Sequence, residues 1–503
     1  MNASYRSLNS RRRTARFATC IMFSAAVAIA LPAQTFTTLD TFDNTDGRQP
    51  YAGLVQAANG NLYGTTSYGS ANGNNYTGTI FEITPAGALT TLYTFCSQAN
   101  CADGQAPRAG LIQGANGNFY GTTASGGVNA PCDGAIGCGT VFQITPAGTL
   151  TTLYTFCPTS PCTDGATPVA GLVQAANGDF YGTTQFGGAY GYGTVFKITP
   201  SGKLTTLYTL CSLYLCADGA NPVAGLVQGA NGDFYGTTEY GGAHSAGTVF
   251  KITPSGKLTT LYSFCSLYPC LDGSGPEGLI QAASGDFYGT TSAGGPTGAC
   301  DVGQGCGTVF KITPTGTLKT IHSFCSESGC PDGRNPAAGL IQATDGNLYG
   351  TTAYGGNCGS DCGDGTVFRI TPSGKLTTLY SFDGPSGSNP SAVLVQDTNG
   401  TLYGTTPSGG ANYDGTVFSL SVGLGPFVKT LPTSGKVGAA IKILGTDLTT
   451  AASVTFNGTA AAFTVLSASE IAATVPAGST TGTVQVATTG GTLSSNLPFR
   501  VTP

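Results

Sequence analysis

The sequence contains no tryptophan, two methionines and two histidines, and only 9% of its 503 residues are charged. So little charge, with a net value of −5, excludes the basic surface that nucleic-acid binding requires. The motifs of common catalytic centres are also missing, including the Gly-x-Ser-x-Gly elbow, the phosphate-binding loop, His-Glu-x-x-His and the dinucleotide fingerprint. The sequence therefore identifies no catalytic residue.

Glycine and short β-branched segments dominate instead. The chain has 77 glycines, and no stretch outside the N-terminus repeats apolar residues with the period of a helix. A chain of 503 residues is also too long for one ordinary hydrophobic core. This composition predicts an all-β protein of many short strands joined by tight turns.

Residues 1–34 have the features of a secretory signal peptide. Arg11–Arg13 and Arg16 precede an apolar run over 17–31, which is followed by small residues suited to cleavage. A twin-arginine signal and a lipoprotein signal at Cys20 are the less favoured alternatives. The run is too short for a convincing membrane span. Its removal leaves 15 basic and 25 acidic residues, so we expect a secreted protein of net charge −10 without a stable membrane span.

A repeat of 53–61 residues organises the next part of the chain. Each unit contains in order a segment like GLVQAANG, a segment like NLYGTT, a segment like GTVFKITPSG and a segment like KLTTLYTF, which read as four strands separated by turns. The YGTT string begins at Tyr63, Tyr120, Tyr181, Tyr235, Tyr288, Tyr349 and Tyr403. The repeat therefore predicts seven four-stranded units.

The two ends of the repeat array complement each other. The seventh unit stops after its third strand, at Thr416–Leu420, whereas a segment of fourth-strand type, Phe36–Phe42, stands near the start. Closing a ring in this way leaves no sheet edge unpaired. We therefore predict a seven-bladed β-propeller over residues 35–422, closed by an N-terminal strand.

The repeats resemble the GloVer-type tandem repeat of exported bacterial β-propeller proteins. The resemblance rests on the core GLxQxxxGxxYGTT, which recurs in nearly every unit and covers residues 35–422 almost completely. It implies an extracellular propeller, and it implies no particular activity, because the family has no settled one.

Residues 427–503 differ in composition and contain neither Cys nor His. Short alternating segments separated by turn signals predict an immunoglobulin-like β-sandwich. The landmarks Gly445–Leu448, Phe456–Gly458 and Val475–Gly478 resemble those of IPT/TIG domains. That resemblance implies a spacer or adhesion module.

Of the 17 cysteines, 16 lie outside the N-terminal segment, in eight close pairs. Even number, close spacing and export predict disulfides. Zinc binding would need two pairs to meet, and we expect the ring to keep the pairs of different blades apart. All pairs fall in links on one face, where long loops on a rigid scaffold favour binding. The pairs are Cys96/Cys101, Cys132/Cys138, Cys157/Cys162, Cys211/Cys216, Cys265/Cys270, Cys300/Cys306, Cys325/Cys330 and Cys358/Cys362.

An Asp-Gly dipeptide precedes the first strand of six units. Its carboxylates form either a ring that holds a hard cation such as Ca²⁺ or a set of Asx-type turns. Repetition in nearly every unit favours the turns. The residues are Asp46, Asp103, Asp164, Asp218, Asp272 and Asp332.

Aromatic residues and one histidine mark the same face as a candidate ligand site. Exposed aromatics stack on sugar rings or anchor protein partners, although they also fill space between blades. His244 is a candidate general base, but a lone His in a Gly-rich loop is more often solvated. The candidate ligand-binding residues are Tyr68, Phe186, Tyr190, Tyr240, His244 and Tyr354.

The sequence thus favours a secreted, non-catalytic binding or adhesion protein whose disulfide-bonded propeller face contacts a polysaccharide or a cell-surface protein. The alternatives are an extracellular polysaccharide lyase or hydrolase with its site on the same face, and a purely structural surface protein. We expect no cofactor other than Ca²⁺. The fold alone does not choose among these roles.

Overall fold

A computed structural model describes residues 34–70, 76–127, 137–296, 300, 305–356 and 363–502. The predicted signal peptide therefore lies outside the described residues, apart from Gln34. Among the described residues no helix is long and apolar enough to cross a membrane. Regular structure in them is β-strand, apart from three-residue 3-10 helices at Ala99–Cys101, Tyr214–Cys216 and Leu448–Thr450, so the all-β prediction is confirmed.

Seven four-stranded antiparallel sheets, numbered 1 to 7 along the chain, occupy the described residues between 35 and 421. The first strands are Val55–Gln56, Ile112–Gln113, Val173–Gln174, Val227–Gln228, Ser274–Gln281, Ile341–Gln342 and Val395–Gln396. The second strands are Leu62–Thr66, Phe119–Thr123, Phe180–Thr184, Phe234–Thr238, Phe287–Ala293, Leu348–Thr352 and Leu402–Thr406.

The third and fourth strands complete each sheet in sequence order. The third strands are Thr79–Ile83, Thr140–Ile144, Thr194–Ile198, Thr248–Ile252, Thr308–Ile312, Thr366–Ile370 and Thr416–Ser421. The fourth strands of sheets 1 to 6 are Leu89–Thr94, Leu150–Thr155, Leu204–Thr209, Leu258–Ser263, Leu318–Ser323 and Leu376–Ser381. In sheet 7 this place is taken by Thr35–Thr41, which pairs antiparallel with Thr416–Ser421.

The glycine inside each second strand leaves room for packing within its sheet. A Cβ on Gly182 would lie 2.7 Å from the Phe196 ring of the third strand and 2.8 Å from Leu172. These distances are shorter than van der Waals contact, so no larger residue fits without moving the core. The repeated YGTT string therefore reflects close packing as well as strand formation.

Consecutive sheets share hydrophobic clusters. The second-strand tyrosine of one sheet packs on the apolar residue that begins the second strand of the next. In Tyr63–Phe119 and Tyr181–Phe234 that residue is aromatic, and the ring centroids lie 4.3 and 4.0 Å apart. Tyr403 of sheet 7 belongs to one cluster with Leu62 of sheet 1. The same kind of contact therefore joins the last sheet to the first.

A buried threonine also links each sheet to the next. The hydroxyl of Thr290 donates a 2.7 Å hydrogen bond to the carbonyl of Ala338, and Thr405 donates one of 3.1 Å to Ala52. The same bond occurs at all seven junctions of the described sheets, and the other donors are Thr65, Thr122, Thr183, Thr237 and Thr351.

The repeated glutamine at the end of the first strand adds a third inter-sheet contact. The Gln342 side chain accepts a 2.9 Å hydrogen bond from the backbone N–H of Ala283 in the preceding sheet. Gln56 of sheet 1 accepts the corresponding bond from Thr398 of sheet 7, at 3.1 Å. The glutamine recurs in the repeat because its side chain bonds one sheet to the preceding one.

Residues 429–502 form a second all-β unit. One of its four-stranded sheets has the order Lys429–Leu431, Ala440–Leu444, Glu470–Thr474, Phe463–Val465; the other has Thr459–Ala460, Ser453–Phe456, Val484–Thr488, Gly491–Ser494. Ser434–Lys436 and Arg500–Thr502 pair in parallel. A core that includes Ile443, Val454 and Val486 is buried between these strands.

This second unit packs on the turn side of the sheets, which carries the turns between first and second and between third and fourth strands. Arg500 donates to the Gln228 side chain at 2.8 Å and to the Gly229 carbonyl at 3.2 Å. Lys429 donates to the Gln396 carbonyl and, at 3.1 Å, to Gln56. The opposite side, which carries the longer links, is not part of these contacts.

Deleting residues 35–41 tests the pairing of the two chain ends. The deletion exposes the edge of Thr416–Ser421 and removes Phe36, whose ring lies 3.6 Å from that of Tyr380. We expect aggregation or a loss of unfolding free energy of about 4 kcal/mol or more, measured by denaturant unfolding. Deleting 427–503 is the control and should leave the sheets folded, because that unit has its own core. Comparable stability of the two variants would contradict this account.

Candidate ligand site on the loop side

The loop side is the side of the sheets opposite the turn side. It carries two kinds of link: those between second and third strands, and those from a fourth strand to the first strand of the next sheet. Isolated β-bridges join one link of each kind, as between Ala220 and Tyr240 and between Arg334 and Tyr354. Each bridge pairs the link that enters a sheet with the link between the second and third strands of that sheet. Residues of two different links therefore meet on this side.

Disulfides close six of the predicted pairs. They are Cys96–Cys101, Cys157–Cys162, Cys211–Cys216, Cys265–Cys270, Cys300–Cys306 and Cys325–Cys330. Cys132, Cys358 and Cys362, from the other two predicted pairs, lie outside the described residues, whereas Cys138 is described as disulfide-bonded. Each bond closes a short segment within one of the longer links.

Within a single sheet, the cysteine pairs of the two kinds of link lie close together at two places. In sheet 5, sulfur atoms lie within 4.8 Å of one another in a group formed by Cys300, Cys306, Cys325 and Cys330. The same holds in sheet 2 for the sulfur atoms of Cys138, Cys157 and Cys162. The reason is that the two kinds of link of a single sheet run next to each other. Because these sulfurs are in disulfides, they offer no thiolate to a metal.

Each predicted Asp residue accepts hydrogen bonds from its own link or from the strand before that link. The buried Asp218 carboxylate accepts hydrogen bonds from the Tyr208 hydroxyl at 2.9 Å, from the Ser212 backbone at 2.9 Å and from the Ser212 hydroxyl at 2.7 Å. Leu213 donates a fourth bond at 3.2 Å. Asp103 and Asp272 are equally buried and have the same set of donors.

The surroundings of Asp164, Asp332 and Asp46 differ from those of Asp218. Tyr154 donates to Asp164 at 2.9 Å, and in sheet 5 the Nε2 of His322 takes the place of the tyrosine hydroxyl, 2.9 Å from Asp332. Burial raises the pKa of Asp46 to about 6. Among the described residues no three of these carboxylates share a site, so the geometry favours the turns and Ca²⁺ binding stays a prediction.

A cleft of about 580 Å³ opens on the loop side between sheets 5, 6, 7 and 1. Its wall includes Tyr354 and Arg334, whose backbones exchange hydrogen bonds of 2.8 and 3.2 Å. The Arg334 guanidinium carbon lies 5.4 Å from the centre of the Tyr354 ring. The other lining residues are Tyr51, Ser292, Asn335, Ala337, Ala353, Asn389, Ser391, Pro407 and Ser408.

Hydrogen bonds between links hold the polar lining in place. The amide nitrogen of Asn335 donates to the Ser292 carbonyl at 2.9 Å, and that of Asn389 donates to the Ala353 carbonyl at 3.1 Å. The Ser391 hydroxyl is buried and has no hydrogen-bond partner among the described residues. A ligand hydroxyl that bonded to it would remove a desolvation cost.

Several loop-side residues that the sequence interpretation missed follow the repeated proline. The residue directly after this proline differs from repeat to repeat, whereas the residues around it are nearly constant. This variation is the sequence signal that could have identified the position as part of a ligand site. The residues are Tyr51, Arg108, Val169, Val223, Glu277, Ala337 and Ser391. Three of them, Tyr51, Ala337 and Ser391, line the cleft.

Charge is distributed unevenly over this side. Arg108 donates to the Tyr68 hydroxyl at 3.1 Å, and burial raises the pKa of the nearby Tyr51. Toward sheets 4 and 5, burial and then the charge of Glu239 raise the pKa of Glu277 to about 7. Arg108 and Glu277 thus give different parts of the loop side opposite charge.

Of the predicted ligand residues, only Tyr354 lines the cleft. Tyr68 packs edge-on against Tyr76, with centroids 6.4 Å apart. The remaining four, Phe186, Tyr190, Tyr240 and His244, are exposed on links of sheets 3 and 4 and are not among the residues that line it. The structure therefore does not bring the predicted set together in one site.

Replacing Asp218 by Asn tests whether these carboxylates act as turn caps. The new amide group would oppose several donors, so we expect a loss of unfolding free energy of about 2 kcal/mol. Denaturant unfolding with Ca²⁺ and with a chelator measures it. Equal stability of the wild-type protein in both solutions is expected. A chelator-sensitive wild type and an insensitive Asn variant would instead support the cation ring.

Comparison with known proteins identifies the repeat. Residues 24–215, 132–300 and 268–466 each match one family model, the Gloeobacter/Verrucomicrobia repeat. This match confirms the GloVer-type resemblance of the repeats, whereas the IPT/TIG resemblance of the C-terminal unit stays a prediction. None of the curated proteins matches the chain.

Solved structures similar to this chain have low sequence identity. A fungal alcohol oxidase of the AA5 family in complex with copper is 12% identical, with 93% of this chain and 99% of that chain covered and a TM-score of 0.49. PorZ, a surface component of the type-IX secretion system of Porphyromonas gingivalis, is 14% identical, with 92% and 61% covered and a TM-score of 0.47. Likenesses at this level carry no information on activity.

Proposed function

Because the chain belongs to the Gloeobacter/Verrucomicrobia repeat family, we propose that its seven sheets form a closed seven-bladed β-propeller that acts outside the cell. Closure is supported by three contacts between sheets 7 and 1: the Tyr403 cluster, the Thr405 bond and the Gln56 bond. The abundance of disulfides supports an oxidising, extracellular compartment. In this architecture residues 35–422 are the propeller and 427–503 an IPT/TIG-like sandwich.

The proposed function is the non-catalytic binding of a polysaccharide at the loop-side cleft, for attachment to a surface or to a polymer. The observation that carries it is the cleft itself, where Tyr354 stands beside Arg334 and side-chain hydroxyls and amides complete the wall. Aromatic rings with adjacent hydrogen-bonding groups suit sugars, which have apolar faces and polar edges. The turn side is less suited, since the C-terminal unit packs there.

A polysaccharide lyase or hydrolase is the second candidate. The raised pKa of Glu277, about 7, is what a general acid requires, and Glu239 is close enough to contribute to it. Neither residue is among those that line the cleft, so this candidate places the chemistry at a different part of the loop side. Binding therefore remains the leading proposal.

Substituting Tyr354 by Ala tests the proposed binding site. We expect the affinity of residues 35–503 for a bound polysaccharide to fall about tenfold or more, because a well-packed aromatic at a ligand site commonly contributes about 2 kcal/mol. The measurement is titration against a panel of polysaccharides, with unfolding curves to verify folding. Tyr240→Ala is the matched control, since this tyrosine is 52% exposed but lies outside the cleft lining.

Two results would contradict the proposal. One is a polysaccharide whose affinity is unchanged by Tyr354→Ala but falls with Ser201→Ala or Ser255→Ala, which lie in turn-side turns. The other is release of shortened products by the wild-type protein that Glu277→Gln abolishes, since this would establish the enzyme.

A further inference from the structure

The cleft has an electrostatic character of its own. Arg334 is the one charged side chain among its described lining residues. Within the described part of the chain, no carboxylate lies within 4.0 Å of its guanidinium nitrogens. The protein as a whole is acidic, with a net charge of −5. A cationic cleft in an acidic protein therefore points to an anionic ligand group.

We propose that the cleft binds an acidic sugar, with the sugar carboxylate paired to Arg334. This inference rests on the proposed function and names its ligand class. A guanidinium presents parallel N–H groups that match the two oxygens of a carboxylate. A neutral sugar would leave this match unused.

The backbone of Arg334 is held in place before any ligand arrives, and the Tyr354 ring limits the positions of its side chain. Its backbone is held to Tyr354 by the two hydrogen bonds of the β-bridge, and its guanidinium stands near the Tyr354 ring. Holding a long side chain in place beforehand lowers the entropy that binding costs. Tyr354 is 46% exposed, so it offers surface to an adjoining sugar.

The rest of the lining suits the hydroxyl groups of the same ligand. The Ser391 hydroxyl has no hydrogen-bond partner in the part of the chain that the structure describes, so its donor and acceptor are open to a ligand there. Asn335 and Asn389 each use one amide N–H for a backbone carbonyl, and each amide has a second N–H. The volume of about 580 Å³ falls within the range of roughly 300–1,000 Å³ that small-ligand sites occupy.

Titration of residues 35–503 with a short oligogalacturonate and with its methyl ester tests the proposal. The two probes share one backbone and differ in the carboxylate charge. We expect the ester to bind at least tenfold more weakly, and the affinity for the acid to fall as salt is added. Arg334→Gln should lower the affinity for the acid at least tenfold and that for the ester far less, so that the preference for the acid is lost.

Lys203→Gln is the control for overall charge, because Lys203 lies in a turn on the opposite side. It should leave both affinities unchanged. Equal binding of acid and ester, or an acid preference that survives Arg334→Gln, would overturn the proposal. So would preference for a sulfated polymer over the uronate. If no polysaccharide of the panel binds, the proposed function itself fails; if neutral polymers bind in a Tyr354-dependent way without acid preference, only this inference fails.

Discussion

The contact between consecutive sheets is the interaction on which the rest of the structure depends. A single repeat unit cannot bury its hydrophobic face alone, and packing against its neighbours buries that face. Each second-strand tyrosine, such as Tyr181, adds a large buried ring to the neighbouring sheet, and a threonine such as Thr183 adds a hydrogen bond to it. Because these residues lie in the repeated YGTT string, the same interface forms at each junction.

This division of roles explains where variation is tolerated. Residues of the second and third strands are almost completely buried and recur with little change. Parts of the loop-side links, such as Cys138 and Ala166, are buried in the clusters between sheets, whereas the exposed side chains of these links are free to differ from sheet to sheet. The cleft lies where such links from sheets 5, 6, 7 and 1 meet. With the C-terminal unit on the turn side, the molecule presents these links as its open surface.

Much of the scaffold could be predicted from the sequence, and the cleft could not. The strand order and the complementary chain ends follow from local patterns such as YGTT and the fourth-strand character of Phe36–Phe42. The cleft instead combines Tyr51 and Ser391, which hold equivalent positions in different repeats, with Arg334 from a third link. Their proximity results from the path of the sheets around the array, which amino-acid periodicity does not encode.

The cysteine and aspartate predictions show the same limit at shorter range. Pairing within a link, as for Cys325–Cys330, was readable from spacing. That Cys300–Cys306 would lie against it was not, because the two links are separated by two strands in the sequence. The role of Asp218 depended on four donors whose directions only the folded link defines.

Closure of the sheet array is tested most directly by comparing Thr405→Val with Thr290→Val in denaturant unfolding of residues 35–503. Thr405 bonds across the junction between sheets 7 and 1, and Thr290 makes the same bond at an internal junction. In a closed ring both substitutions remove an equivalent buried hydrogen bond, so each should cost about 1 kcal/mol. If Thr290→Val destabilises the protein and Thr405→Val does not, sheets 7 and 1 are not in contact and the ring is open.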